Sequence, residues 1–242
     1  MAKLRLEGIC HHFLAEPLFD DLSLSVEKGQ VVSIVGASGV GKTTLFNIAA
    51  GLIHPKDGAV LIDGADVTGK AGHVGYMLQK DMLLPFKKVY ENIALPLVLK
   101  KWRKDAIFNA IMPKLEPFGL LGLMDSYPAR LSGGQRQRAA LLRTYLSNDD
   151  IMLLDEPFSA LDFITKTDMY AWFNAFRQKS GLTCLMITHD IDEAMYLSDY
   201  IYVLSGFPAR LSESFFIDKS PEFLKSAEYW RLKEAILTAM RA

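Results

Sequence analysis

Gly36-Ala37-Ser38-Gly39-Val40-Gly41-Lys42-Thr43-Thr44 decides how this chain folds. An apolar run, Val31 to Val35, precedes it, and Leu45-Phe46-Asn47-Ile48-Ala49-Ala50 follows. Strand, glycine loop and helix make the context in which Gly-x-x-x-x-Gly-Lys-Thr is a phosphate cradle. Gly36, Gly39 and Gly41 let the backbone curl until successive N–H groups point inward, with Ser38 and Thr44 beside them. The following helix adds its positive N-terminal end. Lys42 is placed to reach β- and γ-phosphates, and the Thr43 hydroxyl to ligate Mg²⁺. A chance glycine-rich turn does not place Lys-Thr at this spacing between a strand and a helix.

Outward from the loop, short apolar runs alternate with helical stretches. Leu4 to Ile9 and Leu22 to Val26 alternate apolar with polar, which predicts two half-buried, antiparallel strands ahead of the loop. His11-His12 lies between them and reads as a solvated pair, because neighbours in a strand face opposite sides. Gly51 is a C-cap for the helix after the loop. Residues 59–62, 74–79, 151–155, 182–189 and 200–204 read as further strands. The run at 151–155 is apolar on both faces, as parallel strands covered by helices are. Helices are expected over 165–179, 192–197 and, after Pro221, over roughly 222–240. Residues 87–127 are helical by pattern, broken by Pro96, Pro113 and Pro117. Strand–helix alternation predicts a parallel α/β core. The domain reading is one unit, with residues 1–79 and 146–242 as the α/β core and 80–145 as an inserted helical subdomain.

Composition narrows the function. The chain has 242 residues, half of them hydrophobic, with 27 Lys and Arg against 28 Asp and Glu. That balance argues against a nucleic-acid or anionic-membrane binder. The exception is residues 80–145, where 12 basic residues face 5 acidic ones. Cys10 and Cys184 are far apart and in no metal or redox spacing, as expected of a reduced cytosolic chain. The N-terminus lacks a signal-peptide core, and no apolar stretch is long enough to span a bilayer.

Two more stretches carry chemistry. Asp155 ends a buried apolar run, where it can reach a Mg²⁺ held by Thr43; Glu156, next to it, is placed to polarise a water aimed at a γ-phosphate. Leu131-Ser132-Gly133-Gly134-Gln135 precedes a strong helical run, so Ser132 and the glycines offer a second anion cradle or a plain helix cap.

Taken together and in order, Gly36 to Thr44, Leu131 to Gln135, Ile151 to Glu156, Ser159-Ala160-Leu161-Asp162 and His189 resemble the nucleotide-binding subunit of an ABC transporter. The resemblance covers nearly the whole chain. It implies the ABC ATPase fold: a P-loop NTPase parallel sheet, an N-terminal antiparallel β layer and the inserted helical subdomain. It implies ATP and Mg²⁺ as ligands and a head-to-tail homodimer with two ATP molecules at its interface. Each ATP then touches the P-loop of one subunit and Ser132, Gly133, Gly134 and Gln135 of the other, which accounts for two cradles in one chain. By the same resemblance Phe13 stacks on adenine, where Tyr is usual. Gln79 contacts Mg²⁺ and water and links nucleotide state to the transmembrane partner. Asp162 crosses the dimer interface, and His189 is a switch histidine for the γ-phosphate. Leu142-Arg143-Thr144 and Asn148-Asp149 depart from the family pattern without touching phosphate chemistry.

Residues 79–86, 91–97 and 205–211 are similar to the nitrate, sulfonate and taurine importer group, which also includes carriers of thiamine pyrimidine precursors. The expected role is ATP hydrolysis coupled to solute import through a separate permease, with a substrate-binding protein acting indirectly. The expected place is the cytoplasmic face of the membrane. Permease contact is expected over 80–104, whose positive charge either faces acidic permease loops or is a solvated Lys-rich face. A soluble ABC ATPase acting on nucleic acid or ribosomes, and an exporter subunit, are the alternatives. The first lacks its usual coiled-coil insertion or tandem domains here.

Overall fold

The computed structural model describes residues 2–13, 16–148 and 150–240. Its first strands follow from alternation. In β2 (Glu16–Glu27) Leu22, Leu24 and Val26 are buried while the residues between them are exposed. β2 pairs antiparallel with β1 (Ala2–Phe13), Leu6 opposite Leu24 and Leu4 opposite Val26. β4 (Asp57–Ile62) and β5 (Ala65–Asp66) complete a sheet of order β2-β1-β4-β5.

The second sheet has the order β10-β9-β3-β8-β7-β6. β3 (Val31–Val35), β6 (Gly75–Met77), β7 (Ile151–Asp155), β8 (Thr183–Ile187) and β9 (Tyr200–Ser205) run parallel. Every residue of β3, β7 and β8 is buried. The twofold side-chain period divides them between two cores. Ile151 and Leu153 face the apolar cluster shared with β1, β2 and α1 (Lys42–Ala49). Met152 and Leu154 face the cluster shared with α2 (Val89–Leu99), α3 (Lys104–Leu115), α4 (Gly133–Ser147) and α5 (Phe163–Ser180). A third cluster joins Val35 and Val203 to α6 (Ile191–Leu197) and to Ile236.

Four expectations need correction. Pro96 and Pro113 do not break their helices: α2 and α3 run through them, because Ile93, Ala94 and Leu97 on one and Ile107, Ile111 and Leu115 on the other are buried. That burial outweighs a missing hydrogen bond. The C-terminal helix is two, α7 (Pro221–Leu224) and α8 (Ala227–Ala239), because the Ser226 hydroxyl accepts from Tyr229 N and starts a new helix. Residues 210–216 form an unexpected edge strand, β10, antiparallel to β9. His11 and His12 lie within β1 and are half-buried; burial pulls the His11 imidazole below its usual range. Among the described residues no helix is long and apolar enough to cross a membrane.

Candidate active site

Parallel strands deliver their carboxyl ends to one edge of the sheet, and ligands bind in α/β proteins at that edge. β3 leads to Gly36, β6 to Gln79, β7 to Asp155 and Glu156, and β8 to His189. Four stretches far apart in sequence therefore meet.

The loop after β3 is shaped by close approach. A Cβ on Gly36 would lie 2.4 Å from the Leu204 carbonyl oxygen, so only glycine fits. Gly39 and Gly41 hold left-handed φ of 83° and 107°. Gly41 is the N-cap of α1, and no side chain caps that helix, which leaves its amide end to a ligand. Ser38, Gly39, Gly41, Lys42, Thr43, Thr44, Asp155, Glu156 and Ile187 line a cleft of about 270 Å³. Lys42 is buried and donates from Nζ to the carbonyls of Gly36 and Ala37, both at 2.8 Å. Burial pulls its pKa down, and Glu156 and Asp155 oppose that pull.

Asp155 is buried beside Lys42, near the Thr43 side chain. Burial, and then the Glu156 charge, raise its carboxyl above the usual range; Lys42 and Thr43 pull it back. Thr43 and Asp155 offer hard oxygens, and among the described residues no three His, Cys, Asp or Glu gather as a metal cage. That donor set fits Mg²⁺, which takes one or two protein oxygens and fills its shell with phosphate oxygens and water.

Glu156 occupies the turn after β7 with φ of 47°, a left-handed value unusual for this residue. Its amide donates to Ile187 O. Its Oε2 accepts from Gln79 Nε2 at 2.8 Å and its Oε1 lies 3.0 Å from His189 Nδ1. Glu156 also joins the first cleft to a second of about 630 Å³, lined by Gln79, Lys80, Asp81, Gln137, Glu156, Ser159, Ala160 and His189. Gln79 is thus engaged by the carboxylate and not aimed at Thr43.

Ser132, Gly133, Gly134 and Gln135 stand apart. None of them lines the cleft beside Lys42. Ser132 Oγ accepts from Gln135 N at 3.3 Å while Gln135 Oε1 accepts from Ser132 N at 2.9 Å, a capping box at the start of α4. Asp162 caps α5 in the same manner, accepting from Thr165 N at 3.1 Å and Thr165 Oγ1 at 2.6 Å. Phe13 ends β1, and its side chain lies outside the described residues.

Several residues that hold the site are not obvious in sequence. Arg143 donates to the carbonyls of Asp81 at 2.6 Å and Met82 at 2.8 Å, and Arg136 Nε lies 3.3 Å from Asp81 Oδ2. Gln137 Nε2 donates to the Pro157 carbonyl. One face of α4 therefore grips both the segment after Gln79 and the turn after Glu156. The only signal was the pair Arg136 and Arg143, two helical turns apart on α4.

A profile of the ABC transporter family matches residues 19–159. The chain is 40% identical over 195 residues to the formylaminopyrimidine import ATP-binding protein ThiZ of Halalkalibacterium halodurans, covering 80% of this chain and 76% of that protein. It is 34% identical over 210 residues to the taurine import ATP-binding protein TauB of Escherichia coli K12, covering 87% and 82%. Its fold is similar to the dimeric post-hydrolysis state of the ATP-binding cassette MJ0796 bound to ADP and Pi. There the TM-score is 0.74 at 26% identity, covering 90% of this chain and 100% of that one. The chain belongs to the ABC transporter ATP-binding family, as an ABC ATPase cassette.

Proposed function

We propose that this chain hydrolyses ATP as a head-to-tail homodimer to energise uptake of a small solute through a separate permease. The solute class is nitrate-, sulfonate- or taurine-like, or a thiamine precursor. The observation that carries the hydrolytic reading is Glu156, gripped by Gln79 and His189 beside the Thr43–Asp155 pair. The import names of ThiZ and TauB support the direction and the solute class.

The mechanism follows from where charge develops. Lys42 leaves the loop carbonyls for the β- and γ-phosphates, and the α1 amides and Gly39 cradle the chain of phosphates. Thr43 and Asp155, joined by Gln79 once it leaves Glu156, would hold Mg²⁺, which would supply positive charge to the phosphates. Glu156 takes a proton from the attacking water. His189, released from Glu156, donates to the γ-phosphoryl oxygens. Ser132, Gly133, Gly134 and Gln135 of a second copy close the site, and Asp162 crosses between the two. Phe13 stacks on adenine.

Residues 80–145 act as a helical subdomain that receives the permease. A groove of about 290 Å³ on α2 and α3 supports this, lined by Tyr90, Ala94, Leu95, Val98 and Ile107 together with Lys87, Glu91 and Lys104. The place of work is the cytoplasmic face of the membrane, peripheral through the permease, with a substrate-binding protein beyond it.

Glu156→Gln tests the base. It keeps the side chain's shape and removes its basicity. Turnover is expected to fall at least about a hundredfold, while ATP binding persists and closed dimer accumulates on a sizing column. Near-normal turnover would remove Glu156 from this role.

A further inference from the structure

Behind His189 sits a buried carboxyl that hydrolysis, as just described, does not use. Glu193 is in the first turn of α6 and is 1% exposed. Its Oε2 accepts from Thr188 Oγ1 at 2.9 Å. That hydroxyl accepts in turn from Asp190 N at 3.0 Å. The two bonds straddle His189, so the turn that carries the imidazole is fixed from its inner side. Asp190 closes the ring: it accepts from Glu193 N at 3.2 Å and from Lys166 Nζ at 3.1 Å. Lys166 lies in α5, the helix that Asp162 caps. The other Glu193 oxygen, Oε1, is buried without a hydrogen-bond partner, and so is the Tyr170 hydroxyl on α5.

We propose that Glu193 is a positioning residue for His189, acting through Thr188 to fix the turn that carries the imidazole at the mouth of the site. This rests on the reading of His189 given above. The neutral form is what the surroundings favour. Burial first, and then the charges of Asp190 and Glu156, raise the Glu193 carboxyl to about 8, against the opposing pull of the Thr188 hydroxyl and Lys166. Tyr170 is the other titratable group facing it from α5, and burial raises that phenol too. Ionisation would leave Oε1 as an unpaired buried charge near Asp190 and Glu156, a costly state that the turn relieves by opening. Because the folded-state value lies above the usual 4.5, the native protein holds the proton more tightly than the unfolded chain. The stabilisation is full below the usual value and is lost as pH rises through about 8.

Steady-state ATPase of the full chain, measured from pH 6.5 to 9.5 for wild type, Glu193→Gln, Glu193→Ala and His189→Ala, tests this. Glu193→Ala is expected to lower kcat about tenfold or more at pH 7, with KM for ATP within about twofold. Glu193→Gln, neutral and of the same shape, is expected to keep kcat at pH 7. It should also retain turnover above pH 8, where wild type declines. An alkaline limb in the Gln variant identical to wild type overturns the proposal, as does an unchanged kcat in the Ala variant. Should the Ala variant fail to fold, the Gln pH profile decides alone. His189→Ala separates two failures. Full turnover there removes His189 from the mechanism and this inference with it. Lost turnover there, with wild-type behaviour in both Glu193 variants, overturns only the role of Glu193.

Discussion

α1 and α4 both begin at glycine-bearing loops, and their first turns are built for opposite purposes. At α1, Gly41 leaves the helix without a side-chain cap, and a cationic side chain is parked on the loop's own carbonyls 2.8 Å away. That end is ready to exchange internal bonds for phosphate oxygens. At α4, Ser132 and Gln135 already satisfy each other, and Gly134 is spent on packing: a Cβ there would lie 3.0 Å from Thr165 Cγ2 on α5. A glycine next to a helix N-terminus is therefore not enough to make a phosphate site. What differs is whether the amides are left open and whether the glycines face a cleft or a neighbouring helix. In the dimer reading, α4 keeps its shape unaided and offers the exposed Ser132 to a second copy.

The largest effect is expected when the two ends are damaged in separate subunits. Lys42→Ala removes a charge-assisted contact worth about 1.5–3 kcal/mol. ATP affinity should fall about ten- to a hundredfold, as titration of the single variant would read. Ser132→Arg should leave that affinity within about twofold and still abolish turnover, because its bulk enters the partner's site. At an ATP concentration that saturates only an intact site, neither variant alone then turns over appreciably. Mixed, they form heterodimers with one whole site, the P-loop of one and α4 of the other, and turnover returns. If the mixture stays inactive, each α4 does not serve the other copy's P-loop.

A middle-sized effect is expected at the link between the two ends. Arg143 ties α4 to the segment after Gln79 through the carbonyls of Asp81 and Met82, and Met82 itself holds a left-handed φ of 47°. Burial lowers the guanidinium's pKa, with Asp81 opposing, and the two carbonyls are what the buried cation bonds. Arg143→Ala should free the segment and lower kcat about three- to tenfold, with KM for ATP unchanged. A loss confined to KM would mean that Arg143 serves nucleotide binding and not the placing of Gln79.

The same contrast explains what could be read from sequence. The sheet core was readable because β3, β7 and β8 are short, mostly apolar runs, and the loop at 36–44 has a spacing that sequence alone exposes. The antiparallel layer was readable from the alternation in β2. The resemblance to ABC cassettes added Gln79 and His189, which no local pattern marks. The split between α7 and α8 was missed because Ser226 is one polar residue in a helical stretch, and its capping bond decides the break. β10 was missed because its edge position lets its residues stay largely exposed, and no apolar alternation marks it. Pro96 and Pro113 misled because a local rule was set against burial by distant partners. Glu193 and Arg143 could not be found from spacing, since what defines them is the company they keep in three dimensions.

The smallest effect is the most direct on α4 itself. Ser132→Ala deletes the hydroxyl that accepts from Gln135 N and leaves the backbone in place. A lost N-cap costs about 1 kcal/mol, and in a chain of this length that lowers Tm by about 2–4 °C. At α1 no such hydroxyl exists to delete, and under the proposed function the nucleotide takes that place. ADP, whose β-phosphate Lys42 is read to hold, should therefore raise Tm in proportion to its affinity. It should raise wild type and Ser132→Ala by the same amount, since the two ends share no cleft. A differential scanning experiment on the dilute subunit, with and without ADP, measures both shifts at once. If Ser132→Ala erased the ADP shift, α4 would be completing the P-loop of its own chain, and the contrast between the two helix ends would collapse. An equal shift on a lowered baseline places the two ends in separate roles: one held shut by its own residues, the other held open for a nucleotide.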